Sequence, residues 1–416
     1  MKNKYQTGEK EMVNIAVLGY GTVGSGVVEV LRTNRKAINN RAGQEINLKY
    51  VLDLRDFPGD PVEEVLVHDF DTILNDDDVK IVVEVMGGVN PAYQFVKSAL
   101  LKGKSACTSN KELVAKHGAE LIQIARDNNV NFLFEASVGG GIPIIRPLNQ
   151  SLTADEIVEI SGILNGTTNY ILTKMSQEGL DFDTVLREAQ KLGYAERNPE
   201  ADVEGYDACR KIAILSSLAC GHQVDFEDIY TEGITRITER DFRYADALGV
   251  KIKLIGTGKK VSDGVCAMVA PKMIDNEHPL AGVNGVMNAI FVKGNVLGDV
   301  MFYGAGAGKL PTASAVVSDV VDAVKHMGTN IMTIWSQEKQ KLVDMKDAKT
   351  RFFIRVKGSA DEGLDEIKAL FGNGQVISIP GYDDEFGFVT EEITEGTYAA
   401  GAAECDKIIT RIRYEK

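Results

Sequence analysis

The chain has 416 residues, of which 44% are hydrophobic and 25% charged, and its formal net charge at pH 7 is −14. This composition is ordinary for a globular protein of two or three domains, and the negative charge argues against nucleic acid or an anionic membrane as partner. The first twelve residues lack the apolar core of a signal peptide, and no apolar run is long enough for a membrane span. Since the five cysteines form no C-x-x-C pair, we expect buried thiols in a cytoplasmic enzyme or binding protein.

Short apolar runs alternate with stretches of helical spacing between residues 13 and 135. The predicted strands are 13–18, 46–52, 80–85, 104–108 and 131–134, and the predicted helices are 22–38, 93–101 and 112–128. This alternation predicts an α/β fold in which residues 12–135 form a Rossmann-type domain with a doubly wound parallel sheet.

The regular alternation ends near residues 135–143. Beyond it we predict an α+β domain over residues 136–310, with helices at 182–192 and 207–220 and several strands within 225–305. A long apolar helix within residues 311–330 is predicted to return to the first domain. Residues 337–349 have the polar composition of a linker, and residues 350–416 predict a small tail with strands at 351–356 and 375–379 and helices at 363–371 and 399–413.

A glycine-rich turn follows the first predicted strand and opens the first helix. In it, Gly19 permits the tight turn, Gly21 lets the backbone approach a pyrophosphate, and Gly24 lets the helix lie close to the sheet. Thr22 and Val23 begin the helix, whose first N–H groups attract phosphate oxygens. The sequence therefore predicts a dinucleotide site; the alternative is a glycine-rich turn without function.

Two further positions fit this cofactor site. Asp53 ends the second strand, where a carboxylate accepts from a ribose hydroxyl, and Gly87 follows the third strand near the expected nicotinamide half. A solvated aspartate at a strand end is the alternative for Asp53.

Two later stretches, residues 161–170 and 193–211, are dense in polar side chains. Asp207 and Lys211 are four residues apart on a predicted helix and so share one face. They are either a surface ion pair or, because the rest of this helix is apolar, a charged pair that faces a cleft.

These motifs together resemble homoserine dehydrogenase. The resemblance runs in order through residues 13–330 and is carried by Gly19–Gly24, Asn110-Lys111, Gly162–Asn169, Gly193–Glu196, Asp207, Lys211 and Met301–Gly308. It implies NAD(P)-dependent interconversion of L-homoserine and L-aspartate 4-semialdehyde, in the biosynthesis of threonine, methionine and isoleucine.

The resemblance also implies roles for single residues. Lys211 would be the proton donor, Asp207 would hold Lys211 and the substrate hydroxyl, and Lys111 would be an active-site lysine near the nicotinamide. The implied substrate-binding residues are Glu196, which would bind the amino group, Gly166, Thr167, Tyr194 and Asp202. Gly308 would complete the cofactor site. The family's structural monovalent cation, Na⁺, would lie at Glu135, Val138, Gly140 and Ile142, chiefly on backbone carbonyls.

Cofactor preference depends on the residues around Asp53. Many relatives have a basic residue just before this acid, whereas here Leu52 stands there and Arg55 follows two residues later. We therefore expect NAD, or use of both cofactors. The family further implies a homodimer or homotetramer formed through the middle domain.

The tail resembles an ACT domain, a βαββαβ module that binds amino-acid effectors such as threonine. Residues 352–356 fit its first strand, while residues 360–363 replace the usual Pro-Gly before its first helix. The tail therefore binds an effector or serves subunit contact alone.

Two other functions fit parts of the sequence. A thiol-dependent semialdehyde dehydrogenase would need an activated cysteine, for which Cys107 and Cys209 are candidates, together with a histidine base. A non-catalytic NAD-binding regulator would lack the acid–base pair that Asp207 and Lys211 provide.

Overall fold

The computed structural model describes residues 12–262 and 264–416. It contains a parallel six-stranded sheet and a mixed eleven-stranded sheet, as expected for the predicted α/β class. The chain divides into two units. The first ends at Ser151 and takes up the chain again over Ala307–Glu338, and the second consists of Leu152–Gly306 and Lys339–Lys416.

Residues 12–151 alternate between strands and helices. The strands are β1 (Met12–Leu18), β2 (Glu45–Leu52), β3 (Leu66–Val67), β4 (Val79–Glu84), β5 (Ser105–Thr108) and β6 (Phe132–Leu133). The α-helices are α1 (Thr22–Thr33), α2 (Arg35–Ala42), α3 (Phe70–Leu74), α4 (Ala92–Leu101), α5 (Lys111–Asp127) and α6 (Ala136–Gly139).

The sheet of the first unit has the order β3-β2-β1-β4-β5-β6, and its strand pairs are parallel. This is the Rossmann order, in which the chain reverses direction across the sheet between β1 and β4. Ligands bind outside the carboxyl ends of the strands at such a reversal. The turn after β1 and the turn after β4 therefore mark the expected cofactor site.

Two predictions in this region need correction. The helix predicted at 22–38 is two helices, α1 and α2, separated at Asn34 (φ −104°, ψ 14°). The apolar spacing stops at Leu31, and α2 buries only Ile38 and Ala42. The short elements β3 and α3 were not predicted, since two and five residues are too few for a periodic pattern.

Residues 152–306 form most of the mixed sheet and the helices on it. The strands are β7 (Ile157–Ile163), β8 (His222–Gln223), β9 (Tyr230–Thr231), β10 (Val250–Val261), β11 (Gly264–Asp275), β12 (Met287–Gly294) and β13 (Gly298–Ala305). The α-helices are α7 (Gly166–Glu178), α8 (Phe182–Lys191), α9 (Glu200–Val203), α10 (Tyr206–Cys220) and α11 (Glu239–Leu248).

Helix α10 lies directly on this sheet, and glycines in β10 make room for it. A Cβ on Gly258 would lie 2.1 Å from Ser216 Oγ, and one on Gly256 would lie 3.3 Å from Ile212 Cβ. The close approach fixes the height of α10 above the sheet, and with it the position of the side chains at the start of the helix.

Residues 307–338 return to the first unit. They contain α12 (Lys309–Lys325) and the start of β14 (Ser336–Lys339). Helix α12 packs on α1, where a Cβ on Gly26 would lie only 2.7 Å from Lys309 O. The expected linker at 337–349 is more structured than predicted, since it contains part of β14 and a short 3₁₀ helix, Met345–Asp347.

The tail completes the mixed sheet. It comprises β15 (Lys349–Lys357), α13 (Ala360–Phe371), β16 (Gly374–Ile377), β17 (Glu385–Thr390), β18 (Ile393–Thr394), α14 (Glu395–Ala403) and β19 (Ile408–Glu415). Strand β19 pairs with β15 and also, in parallel, with β11, so one sheet runs through the middle region and the tail. The helix predicted at 399–413 is wrong beyond Ala403, because residues 408–415 form strand β19, which pairs on both sides. A separate domain over 350–416 stays a prediction.

Candidate active site

The glycine turn after β1 has the geometry of an anion site. Gly19 adopts φ +99°, and a Cβ on Gly24 would lie 1.9 Å from Gly19 O, so no other residue fits there without movement. A Cβ on Gly21 would meet nothing within 4 Å. No side chain caps α1, which leaves the first N–H groups of the helix, at Thr22 and Val23, for a ligand.

Asp53, at the end of β2, is bound to both the glycine turn and Arg55. Its carboxylate accepts from Tyr20 N at 2.8 Å and from Arg55 Nε and Nη2 at 2.9 and 3.0 Å. The hydrogen bonds from the Arg55 guanidinium hold the pKa of Asp53 well below its usual range. A positive group, exposed over 63% of its side chain, thus lies beside the predicted ribose acceptor.

Glu84, at the end of β4, was missed by the sequence analysis. It is fully buried, accepts from Thr108 Oγ1 at 2.6 Å, and accepts from Met86 N and Gly87 N at 2.8 and 3.3 Å. Burial raises the pKa of this carboxyl above its ordinary value. Glu84 therefore shapes the turn that holds Gly87, and a glutamate inside an apolar strand was the only signal for it in the sequence.

Thr108, which donates to Glu84, also accepts from Asn110 N, and Asn110 directly precedes Lys111. Asn110 donates through Nδ2 to Gly88 O at 2.5 Å and accepts from Leu113 N at 3.1 Å, which makes it the N-cap of α5. Lys111 is consequently the first residue of α5, half-buried, directly after the cap.

Gly308 precedes α12 with φ +123°. No side chain caps this helix either. The predicted cofactor residue thus lies at a second helix N-terminus of the first unit whose N–H groups are available.

Glu135, predicted to help hold a cation, is already engaged through its carboxylate. The side chain is buried and accepts from the backbone N–H groups of Ile144, Ile145 and Arg146 at 2.5 to 2.8 Å. No group of three or more His, Cys, Asp or Glu in the described part of the chain could hold a metal. A cation held chiefly by backbone carbonyls of residues 135–142 stays a prediction.

In the second unit, Lys211 and Asp207 form a buried pair on α10. Their side chains retain 10% and 6% of their exposure, and Lys211 Nζ donates to Asp207 Oδ2 at 2.7 Å. The same Nζ donates to Leu164 O at 2.8 Å. Since an ammonium has three N–H donors, a third remains for another acceptor. The interpretation as a surface ion pair is wrong.

Asn165 joins this pair to the preceding turn. Its Nδ2 donates to Asp207 Oδ2 at 2.9 Å and to Asp202 Oδ1 at 2.7 Å, while its Oδ1 accepts from Thr168 N at 2.9 Å as the N-cap of α7. The sequence placed Asn165 in a motif but gave it no role. An asparagine before a helix start was the available signal.

The remaining predicted substrate residues surround the start of α7. Thr167 Oγ1 donates to Tyr194 O at 2.5 Å. A Cβ on Gly166 would lie 2.7 Å from Val286 O, so the helix start is closely packed. The Tyr194 and Glu196 side chains are exposed. The structure thus joins Asn165, Asp202, Asp207 and Lys211 by direct bonds, whereas Glu196 lies outside that network.

Comparison with known proteins identifies the family. The family model for homoserine dehydrogenase matches residues 143–321, and the model for the homoserine dehydrogenase NAD-binding domain matches residues 19–135. A homoserine dehydrogenase of Synechocystis is 42% identical over 95% of this chain and 96% of its own length. The chain belongs to the homoserine dehydrogenase family.

Solved structures of this family agree. A homoserine dehydrogenase from Thiobacillus denitrificans has a TM-score of 0.90 at 36% identity, covering 98% of this chain and 99% of that one. A hyperthermophilic archaeal homoserine dehydrogenase in complex with NADPH has a TM-score of 0.65 at 30% identity, covering 75% of this chain and 98% of that one. The chain is therefore an NAD(P)-dependent oxidoreductase of amino-acid biosynthesis, and it acts on a small-molecule substrate.

The family assignment agrees with the state of the two candidate thiols. Cys107 and Cys209 are both buried, and burial raises the pKa of each above its ordinary value. A nucleophilic cysteine requires the opposite shift. The thiol mechanism is accordingly not favoured. Among the described residues, no helix has the length and apolar character needed to cross a membrane.

Proposed function

We propose that Lys211, held by Asp207, is the proton donor of the homoserine dehydrogenase reaction. The observation that carries this proposal is the double anchoring of Lys211 Nζ, by the Asp207 carboxylate and by Leu164 O. Two fixed bonds direct the third N–H, which can then donate to the oxygen of a bound aldehyde.

The chemistry follows from the charges. The reduced nicotinamide, when bound, supplies a hydride to the aldehyde carbon of L-aspartate 4-semialdehyde. The carbonyl oxygen then gains negative charge, which the Lys211 ammonium stabilises and finally neutralises by transferring one proton. Asp207 pairs with the ammonium group and orients it before the transfer. In the reverse direction, neutral Lys211 accepts the proton of the homoserine hydroxyl.

The other residues are proposed to bind the substrate or the cofactor. Asp202 and Glu196 provide negative charge for the substrate ammonium group, and Glu196 is exposed and available for it. Gly166, Thr167 and Tyr194 form the turn on which the substrate lies, supported by the bond from Thr167 to Tyr194 O. Lys111 is proposed as the active-site lysine near the nicotinamide, supported by its fixed position after the Asn110 cap.

For the cofactor, we propose that the enzyme accepts NAD or both forms. Asp53 suits the free ribose hydroxyls of NAD. Arg55, which now bonds Asp53, can rotate to meet the 2′-phosphate of NADP, since its side chain is largely exposed. The glycine turn with Gly19, Gly21 and Gly24 serves the pyrophosphate common to both.

A structural Na⁺ at residues 135–142 is proposed as well. The carbonyls of Val138, Gly140 and Ile142 would hold it, and Glu135 would contribute through its carbonyl because its carboxylate already accepts three N–H groups. A bound cation would fix this turn and supply no proton chemistry.

We also propose that the enzyme forms an oligomer and that its tail binds an effector. The exposed side chains of Met301 and Tyr303 on β13, which lies at one end of the mixed sheet, support a homodimer or homotetramer. Threonine is the proposed effector of the tail, and light scattering with and without threonine tests both. The free thiols support a reducing, cytoplasmic compartment.

Replacing the proposed proton donor tests the central claim. Lys211→Ala should lower kcat with homoserine and NAD(P) by about a thousandfold, the usual range for a lost general acid. Cofactor affinity, followed by nicotinamide fluorescence, should stay within about twofold of wild type, because Lys211 contributes nothing to the glycine turn.

The matched control is Lys174→Ala, which removes a lysine that, like Lys211, is paired at 2.7 Å to an acidic residue four positions away, here Glu178. It should leave kcat unchanged. A Lys211→Ala enzyme that retains most of its turnover would refute the assignment.

A further inference from the structure

Residues 230–234, here called the support segment, lie between the tail and the turn that carries Asp202. Glu232 is at the centre of this segment. Its Oε2 accepts from Arg411 Nη1 at 3.0 Å and from Arg413 Nη1 at 2.9 Å, both on β19. Burial alone would raise the pKa of Glu232, but the two guanidinium groups lower it below its ordinary value, so the carboxylate stays charged.

Of the two arginines, Arg413 is part of the interior, while Arg411 keeps 18% of its side-chain exposure. Arg413 retains 1% of its side-chain exposure, and its Nε donates to Glu395. The Arg413 guanidinium also lies 4.9 Å from the centre of the Tyr230 ring. Because a buried charge is costly to leave without its partner, this network fixes where Glu232 can be.

On its other side, the support segment packs against the substrate turn, residues 199–205. Glu232 N donates to Val269 O and Ile234 N donates to Val203 O, each at 2.8 Å. A Cβ on Gly233 would lie 2.3 Å from Val203 O and 2.5 Å from the Cα of Glu204. The two backbones are thus in direct contact, and any shift of the segment moves the turn.

The substrate turn leads straight into the proposed site. Asp202 is bonded to Asn165, which is bonded to Asp207, and Gly205 is the N-cap of the helix that carries Asp207. We propose that Glu232 is a positioning residue for homoserine binding: clamped by Arg411 and Arg413 of the tail, it holds the substrate turn in place. This inference rests on the proposed role of Asp202. Glu232 touches no reacting atom.

Removing the charge of Glu232 tests the clamp in the full-length enzyme. Glu232→Gln should raise KM for homoserine roughly tenfold, as expected when a coupled position is loosened. KM for NAD(P) should stay within about twofold, because the cofactor turn belongs to the first unit. The matched control is Glu366→Gln, whose carboxylate pairs with Lys407 in the same tail at 2.7 Å but is 41% exposed. This control should change neither KM.

A second variant acts on the backbone contact without altering charge. Gly233→Ala pushes on Val203 and should also raise KM for homoserine, whereas Gly282→Ala, where a Cβ would meet nothing within 4 Å, should not. If Glu232→Gln does not fold, Gly233→Ala decides the question. A lower Tm with an unchanged homoserine KM in the folded variants would overturn the proposal. That result would not affect the outcome of the Lys211→Ala experiment. Failure of the Glu232 proposal can therefore be distinguished from failure of the proposed proton donor.

Discussion

The two units arrange their functional residues by different means. In the first unit, the glycine turn presents backbone N–H groups, and its shape depends on the absence of side chains at Gly19 and Gly24. In the second unit, charged side chains are held by other side chains, as in the chain from Asp202 through Asn165 to Asp207. A site built from backbone N–H groups, such as the glycine turn, tolerates little added side-chain volume. A site built from charged side chains tolerates little change in charge.

Buried charges also hold the tail to the middle region of the second unit. Arg355 on β15 donates to Asp241 Oδ1 on α11 at 2.8 Å and lies 3.2 Å from Glu385 Oε1 on β17. The three side chains retain 6% or less of their exposure.

The largest effect on stability is expected at this buried cluster. Arg355→Met should lower the free energy of unfolding by about 3–5 kcal/mol, because it leaves the Asp241 carboxylate buried without a cation, whereas Glu385 keeps Arg240 at 3.0 Å. Urea denaturation measures it. The control Lys407→Met removes a cation from an exposed pair and should lower the free energy of unfolding far less. Equal losses in the two variants would show that buried charge is unimportant in this unit.

The next effect contrasts two glycines of the first unit. Gly24→Ala should lower the free energy of unfolding by about 1–3 kcal/mol and weaken cofactor binding, since its Cβ would clash with Gly19 O. Gly21→Ala should leave stability within about 0.5 kcal/mol, because the added methyl meets no protein atom, yet weaken cofactor binding. Thermal unfolding with and without NAD(P) separates the two. Unchanged cofactor affinity in Gly21→Ala would place the pyrophosphate elsewhere.

A smaller effect is expected on cofactor choice. Arg55→Ala should lower kcat/KM for NADPH by about tenfold relative to NADH, because a phosphate contact with arginine is lost. Asp53→Asn should shift the ratio the opposite way, since it removes the negative charge that repels a 2′-phosphate. Side-by-side steady-state assays give both ratios. If neither variant changes the ratio, these two residues do not select the cofactor.

The smallest effect is a pH dependence at Glu84. Burial raises the pKa of Glu84 in the folded protein above its unfolded value near 4.5. The contribution of Glu84 to the free energy of unfolding is therefore complete below pH 4.5 and is lost as the pH rises through the pKa of the folded protein. Glu84→Gln has no titrating group at this position, so its stability lacks this pH dependence. The stability advantage of wild type over Glu84→Gln should therefore shrink as pH rises above 4.5, by at most about 1.4 kcal/mol per pH unit. The exposed control Glu366→Gln should show no such trend.

The sequence predicts the first unit well, because its elements have clear periodicity. Buried strands such as β1 and β4 are mostly apolar, and the turn after β1 has a recognisable glycine spacing. The failures occur where the pattern is weak or misleading. Asn34 interrupts a helix without a glycine or proline. Residues 408–413 belong to β19, which is separated from α14 by only four residues and was predicted as part of one helix with it.

The candidate site was predictable only where its residues share one element. Asp207 and Lys211 are four apart on α10, so helical geometry alone places them together. Glu84, Asn165 and Glu232 depend on partners more than twenty residues away in sequence. Such contacts are set by how strands and helices pack, which a single sequence without its fold does not reveal.

Strand β19 lies between β11 and β15 in the mixed sheet, although both of these strands precede it in the chain. Without residues 408–415, the edges that β19 covers on these two strands are open, and such edges readily pair with other chains. A chain truncated just before residue 408 should therefore aggregate instead of yielding a shortened enzyme, which size-exclusion chromatography of the truncated protein would show.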